Sequence, residues 1–147
     1  MKIKHQKEHD NIVSWISENP DKLIESVGIK DSYEKISYER AYHVYDKSKY
    51  VGTFDLKLNL DKDENLIYDD YDENGNQQFK YVKVFVTVNV KMESATEQLS
   101  ELKKTIKQQM NNTSQFKKRY YFVVVSENDQ YKSFFTDENI LFYKFRE

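Results

Sequence analysis

Apolar residues near the N-terminus recur at helical intervals, and one break divides them into two groups. Ile12 and Ile16 lie four residues apart, and Asn19-Pro20 then supplies an N-cap followed by a first-turn proline. The apolar stripe resumes and ends at Gly28. This pattern predicts two linked helices, at about 8–18 and 20–27.

After Ile36 the spacing changes to alternation, which is typical of half-buried strands. Phe54 shares one face of its segment with three leucines, and Asp55 lies on the opposite face. Farther on, valines occupy every second position, and Asn89 and Lys91 point together to the reverse side. The alternation predicts strands at about 36–45, 51–60 and 79–92.

A second helix pattern follows these strands. Ser94 and Glu97 form a capping-box pair, and apolar residues then recur every three or four positions, so a helix is predicted at about 95–110. We expect this helix to pack on the valine face, with Asp55, Asn89 and Lys91 together on the other side of the sheet. An apolar run at 120–125 predicts a strand covered on both faces, as in a parallel pairing. Two short strands, near 131–135 and 140–145, are predicted to complete the chain.

Composition limits the classes of protein that the chain can represent. With 147 residues and 38% hydrophobic content, we expect a single domain over residues 1–147. Cysteine is absent, and neither a leader segment nor a membrane-spanning apolar run is found, so a cytoplasmic protein without a membrane contact is expected. The net charge of −2 disfavours a protein that coats nucleic acid by bulk electrostatics.

Charge is nevertheless unevenly distributed along the chain. The segment 61–73 is strongly acidic and predicts a surface for a protein partner, whereas the charged residues of 103–119 are all basic. Three of these, Lys103, Lys107 and Lys118, are the predicted nucleic-acid contacts. The alternative interpretation is a solvated helix face followed by a charged loop.

Two shorter patterns have competing interpretations. His5-Gln6-Lys7-Glu8-His9 has a zinc-protease spacing but is placed at the chain terminus. The segment 70–75 resembles the start of a calcium loop, but its twelfth position is Tyr81 where a bidentate Glu is needed, so a hairpin turn at Asn74-Gly75 is favoured.

The order of elements and two short motifs resemble a known superfamily. Gly52-Thr53-Phe54-Asp55-Leu56 on one strand and Val88-Asn89-Val90-Lys91 on the next, followed at once by an amphipathic helix, are similar to the core of the PD-(D/E)XK nucleases. The resemblance covers about residues 8–126 and implies an α+β fold. The implied core is αβββαβ and restriction-endonuclease-like: a mixed sheet with N-terminal helices and one packed amphipathic helix.

The resemblance also implies roles for individual residues. Asp55, Asn89 and Lys91 take the catalytic positions, although Asn89 stands where the superfamily usually has Glu or Asp. Asp55 and Glu39 would hold a divalent cation such as Mg²⁺, and lysine would stabilise the charge on the phosphate. Asn offers an oxygen without charge, so a substitute acid is expected. The supporting residues on matching positions are Glu39 and Gln98, and Glu97 and Glu101, early on the following helix, are the candidate substitute acids together with Glu39.

Two functional classes follow from this comparison. The first is a metal-dependent nuclease acting on DNA or RNA, alone or as a homo-oligomer. The second is a catalytically inactive binding module on a nuclease-like scaffold, such as a mobile-element or phage protein that binds or inhibits a host protein through 61–73. Fold alone does not distinguish these classes. An acid near Asp55 and Lys91 would favour the enzyme, and an apolar or blocked pocket would favour the binder.

Overall fold

A computed structural model gives the protein one five-stranded sheet with helices on both faces. It describes residues 3–31, 33–71, 73–91, 96–114, 120–127, 132–133, 135 and 140–145. Within these ranges the side chains of 3–5, 62–71, 77–83 and 96–97 are not described. The elements are α1 (Ile3–Glu18), α2 (Pro20–Ser26), β1 (Lys35–Asp46), β2 (Lys49–Tyr71), β3 (Gln77–Val90), α3 (Thr96–Asn112), β4 (Tyr120–Ser126) and β5 (Ile140–Lys144).

The strands lie in the sheet in the same order as in the chain, from β1 to β5. β1, β2 and β3 form an antiparallel meander, whereas β3, β4 and β5 are parallel to one another. Helix α3 connects β3 to its parallel neighbour β4, which is the helical crossover that a parallel pairing requires. The predicted α+β class with a mixed sheet is therefore confirmed.

Two hydrophobic cores stabilise the sheet, one on each face. The first, here called the α1-facing core, packs Ile12 and Ile16 against Leu56, Val86 and Val88. The second, the α3-facing core, packs Leu102 and Ile106 of α3 against residues of the opposite face, namely Val44, Phe54, Tyr120, Phe122 and Val124. The prediction that the 95–110 helix packs on the valine face was wrong. Because β3 is a central strand, both of its faces are covered, the valines by α1 and the opposite face by α3.

A change of face occurs within β1 and β2, at Ala41 and Asp55. Ala41 adopts the left-handed region with φ of +52°, which costs a non-glycine residue about 1 kcal/mol. The pairs on either side are Arg40 with Leu56 and Tyr42 with Phe54. Leu56 belongs to the α1-facing core and Phe54 to the α3-facing core, so the predicted single apolar face of this strand was wrong.

Several predicted boundaries also differ from the structure. Helix α1 begins at Ile3, five residues before the predicted start, and β2 extends to Tyr71 because it pairs with β3 despite its acidic composition. The hairpin turn at 74–75 is confirmed, with Gly75 at φ of +80°. Lys132 and Ser133 form a 3₁₀ turn rather than part of a strand, and the other residues of 131–134 lie outside the described ranges.

Candidate functional site

An open pocket of about 440 Å³ lies between the start of β2, the end of β3 and the first half of α3. Both polar and apolar side chains line it. Among the described lining residues Lys91 is the one cation and Glu101 the one carboxylate. The full lining is Tyr50, Val51, Gly52, Thr53, Asn89, Lys91, Gln98, Glu101, Leu102 and Thr105.

Asn89 and Lys91 enter this pocket from the end of β3, which confirms that they share a face. Asn89 is only 5% exposed, and its Oδ1 atom has no hydrogen-bond partner among the described residues. A buried carbonyl oxygen without a partner costs about 1–3 kcal/mol, so a ligand donor or cation at this atom would be stabilising. The backbone N–H of Lys91 donates to the carbonyl of Val125 at 2.8 Å, which holds the strand end in place beside β4.

Helix α3 supplies the other polar groups of the pocket. Gln98 and Glu101 are three residues apart, so they lie on the same side of the helix, and both are exposed. Thr105 follows one turn later and donates from its hydroxyl to the carbonyl of Glu101 at 3.0 Å. The predicted helix residue Gln98 is thus near Asn89 and Lys91. The side chain of Glu97, also predicted, lies outside the described residues.

Asp55 is not among the described lining residues of this pocket, and its carboxylate contacts His9 of α1 rather than a residue of α3. Its Oδ2 atom accepts a hydrogen bond from the backbone N–H of Val90 at 2.8 Å. The β2–β3 ladder begins one residue later, at Leu56 paired with Val88. The carboxylate of Asp55 therefore accepts the hydrogen bond from the N–H of Val90 at a position where the backbone of β2 is not paired with β3.

His9 of α1 connects Asp55 to a second carboxylate. Its Nε2 atom is 3.1 Å from Asp55 Oδ2, and its Nδ1 atom is 3.0 Å from Asp10 Oδ1. A carboxylate accepts hydrogen bonds, so both contacts are satisfied together when both ring nitrogens carry protons, as in the imidazolium. The hydrogen bond to Asp55 is the main cause that raises the pKa of His9 above 6.5, with support from Asp10, while burial acts in the opposite direction.

We predict that protein stability falls as pH rises through the pKa of His9. A pKa that is higher in the folded state than in the unfolded chain stabilises the fold fully below about 6.5, and this contribution is lost above the folded-state value. Urea denaturation at several pH values between about 5.5 and 8.5 should show the loss. His9→Gln should flatten the profile, and an unchanged profile in that variant would contradict this assignment.

Glu39, the other predicted metal ligand, is placed with a lysine. It stands opposite Lys57 in the β1–β2 register, and Lys57 Nζ is 3.9 Å from Glu39 Oε2. The ammonium of Lys57 also lies 4.4 Å from the ring centroid of Tyr42 and 4.9 Å from that of Phe85. The described part of the chain contains no group of three or more His, Asp or Glu residues that could hold a metal ion. A Mg²⁺ site at Asp55 and Glu39 stays a prediction.

Two of the three predicted nucleic-acid contacts, Lys103 and Lys107, are not placed at the pocket. Lys103 is half-buried and has a partner of its own, and Lys107 is exposed on α3. Neither lysine is among the described lining residues. Lys118 lies outside the described residues, as do the side chains of most of the acidic segment 61–73. These charged surfaces therefore stay predictions.

Sequence reasoning missed the contribution of His9 to this region. The residue was noticed only for its zinc-protease spacing with His5. Its position three residues before Ile12 and four before Val13, both buried, is the signal that would have placed it on the sheet-facing side of α1. The pairing with Asp55, 46 residues away, has no local sequence signal.

Comparisons with known proteins assign neither a family nor a function to the chain. No family model matches the chain, and neither a curated protein nor a solved structure matches it. Among the helices that the structure describes, none has the length and apolar character needed to cross a membrane. The superfamily resemblance and the cytoplasmic location therefore stay predictions.

Proposed function

We propose that the protein is a nuclease-like phosphodiesterase and that the pocket between β3 and α3 is its active site. The observation that carries this proposal is the presence of Lys91, Asn89 and Glu101 in one pocket. Glu101 is an acid on the following helix, which is the substitute that the neutral Asn89 requires. The antiparallel β1–β3 meander and the α3 crossover to a parallel strand also agree with the expected αβββαβ order.

Each pocket residue has a chemical role in this proposal. Lys91 donates hydrogen bonds to the phosphate and stabilises the negative charge that increases in the transition state. Gln98 orients the substrate through its side-chain amide. Glu101, exposed to solvent, accepts a proton from the attacking water or binds a cation.

The oxygen atoms in the pocket fit a divalent cation that the substrate helps to hold. Mg²⁺ usually keeps several waters and takes one or two carboxylates together with substrate phosphate, so it does not need a complete protein cage. Glu101 and the Oδ1 of Asn89, which has no hydrogen-bond partner in the described part of the chain, would provide two such oxygen donors. When bound, the ion would activate water and neutralise charge on the phosphate.

Cleavage assays with Mg²⁺ or Mn²⁺ on single- and double-stranded substrates test this proposal. Lys91→Met and Glu101→Gln should each lower the cleavage rate at least about tenfold, because each removes a charge that acts on the phosphate or the ion. Lys104→Met and Glu25→Gln, on exposed positions outside the described lining, are matched controls that should retain the rate. Cleavage that survives both pocket substitutions would refute the proposal.

We also predict that Asn89→Asp increases the affinity for Mg²⁺ by about tenfold, because ligand charge tunes the affinity of such sites. The two side chains have nearly the same size, so the pocket keeps its shape. Without metal, the added carboxylate is buried and should lower stability. Isothermal calorimetry measures the gain, with the exposed Asn111→Asp as a control for net charge. No gain over this control would show that Asn89 does not contribute to a cation site.

One observation favours the alternative of an inactive binding module. Oδ2 of Asp55 is already engaged by the N–H of Val90 and by His9, so it meets a cation only if His9 is displaced. In this alternative, in which His9 stays bound to Asp55, the pocket is inactive and the acidic segment 61–73 binds a protein partner. Neutralising Asp69, Asp70 and Asp72 should then abolish partner binding, whereas the Lys91 and Glu101 variants should retain it.

A further inference from the structure

Three exposed aromatic rings lie together on the β1–β2 hairpin, beside the pocket. We call His43, Tyr45 and Tyr50 the aromatic cluster. Their ring centroids are 5.7 to 6.5 Å apart, and the rings meet edge to face. Tyr45 is 46% exposed and Tyr50 54% exposed, although both are large aromatic residues. Exposed aromatic rings that touch one another beside a pocket are a candidate binding surface.

Hydrogen bonds hold the rings of His43 and Tyr50 and the backbone of Tyr45 without burying the side chains. The hydroxyl of Thr53 bonds to the hydroxyl of Tyr50 and, at 2.8 Å, to Nδ1 of His43. Asn112 of α3 donates from Nδ2 to the backbone carbonyl of Tyr45 at 2.8 Å. The cluster is therefore held in position before any ligand arrives, which lowers the entropy cost of binding.

The aromatic cluster is continuous with the pocket. Tyr50 belongs to both, and Thr53, which anchors the cluster, also lines the pocket. The exposed rings thus adjoin a pocket that is also lined by Asn89, Lys91 and Gln98. Cation and amide groups bind phosphate, and aromatic rings stack on nucleobases.

We propose that the protein binds single-stranded nucleic acid, with a base stacked on the aromatic cluster and its neighbouring phosphate in the pocket. This inference rests on the proposed function and specifies its substrate class. In a duplex the base faces are covered by neighbouring bases, so only an unpaired base can stack on Tyr45 or Tyr50.

The charge of the protein supports stacking as the main source of affinity. The net charge is −2, and the described pocket lining contains a single cation. Release of counterions from many phosphates therefore cannot dominate binding. With one or two phosphates contacted, the logarithm of affinity should fall with the logarithm of salt concentration at a slope of only about −0.7 to −1.4.

Fluorescence anisotropy in metal-free buffer with chelator tests this proposal, because cleavage is then prevented. Oligonucleotides of about 12 residues, as single-stranded DNA, single-stranded RNA and duplex DNA, are the probes. We expect wild-type protein to bind at least one single strand more tightly than the duplex. The double variant Tyr45→Leu/Tyr50→Leu should bind about tenfold more weakly. Tyr38→Leu, at another exposed tyrosine of β1, should bind as wild type does, and Tyr50→Phe, which keeps the ring, should remain within about twofold.

An oligonucleotide with abasic residues separates stacking from a structural effect of the variants. Removing bases should weaken binding to wild-type protein but should have little further effect on the double variant. Equal affinity for single strands and duplex would overturn the proposal. An unchanged affinity of the double variant would overturn it as well. If that variant changes only the oligomeric state, the aromatic cluster is an interface between copies of the protein, and the proposal is also overturned. The binding assay contains no metal, so a negative result in it does not decide whether Lys91 and Glu101 support metal-dependent cleavage. The cleavage assay answers that question independently.

Discussion

Replacing Asp55 with Ala should lower the free energy of unfolding by about 3 kcal/mol. The substitution removes the acceptor for the N–H of Val90, to which the carboxylate bonds at 2.8 Å, and it leaves the half-buried His9 without its partner. The local ladder cannot replace this acceptor, because the backbone pairing of β2 with β3 begins only at Leu56. Urea denaturation monitored by circular dichroism measures the change.

Asp55→Asn separates the two contributions of this carboxylate. The amide oxygen can still accept from Val90, but the charge that faces His9 is lost. We therefore expect a smaller loss of stability than for Ala, together with a lower pKa of His9 in an NMR titration. Asp10→Asn, at an exposed position on the other side of the ring, should have the smallest effect of the three. An Asp55→Ala variant as stable as wild type would contradict the role of this residue in fastening β2 to β3.

Gly52→Ala should lower the free energy of unfolding by about 2 kcal/mol. A Cβ atom at position 52 would lie 2.1 Å from Oγ1 and 2.9 Å from Cγ2 of Thr105. Thr105 is buried, and its hydroxyl is bonded to the carbonyl of Glu101, so the side chain cannot move without losing that bond or displacing α3. Because Gly52 and Thr105 both line the pocket, we also expect the substitution to alter the pocket.

A second substitution provides the matched control for this contact. Thr105→Ala removes the two atoms nearest the added methyl group, so Gly52→Ala should cost clearly less in that background. Gly28→Ala and Gly75→Ala lie in open space at φ of +78° and +80°, so their cost comes from backbone strain and should not depend on residue 105. Equal costs of Gly52→Ala in both backgrounds would show that the contact with Thr105 is not the cause.

His9 connects the stability of the fold to the state of the proposed site. The imidazolium is stabilised by Asp55, and the same carboxylate oxygen is bonded to the strand that presents Asn89 and Lys91. A cation bound at Asp55 would have to compete with the positive charge of His9. Removing this charge with His9→Gln therefore tests whether Asp55 adds to the cation site that is proposed at Glu101 and Asn89. Faster Mg²⁺-dependent cleavage by the variant would show that it does, whereas an unchanged rate would leave the cation to the pocket residues alone.

Local spacing was enough to predict most of the elements. The regular intervals from Leu99 to Met110 predicted a helix, and the apolar run that begins at Tyr120 predicted a strand covered on both faces. Both exist because an element must bury its apolar side, and the period of that side depends on residues close in sequence. Alternation along a strand also predicts that Asn89 and Lys91 lie on the same face, and both residues line the pocket.

Other features have no local signal. The alternation of β2 continues without interruption through Phe54 and Leu56, yet these residues pack in different cores. The change arises at Ala41, which has a positive φ, and at Asp55, where the backbone pairing of β2 with β3 has not yet begun. The sequence pattern therefore predicted the strand but not the orientation of its side chains.

The sequence by itself determined most of the elements, their order and the shared face of Asn89 and Lys91, since these depend on periodicities within single segments. The mixed sheet was expected from the superfamily resemblance. Only the tertiary structure decided which helix covers each face, that Glu101 joins the pocket, and that Asp55 is bound by His9. These contacts join residues far apart in the chain, and they depend on the directions in which β1 and β2 bend. Such directions result from the simultaneous packing of both cores, which no single segment encodes.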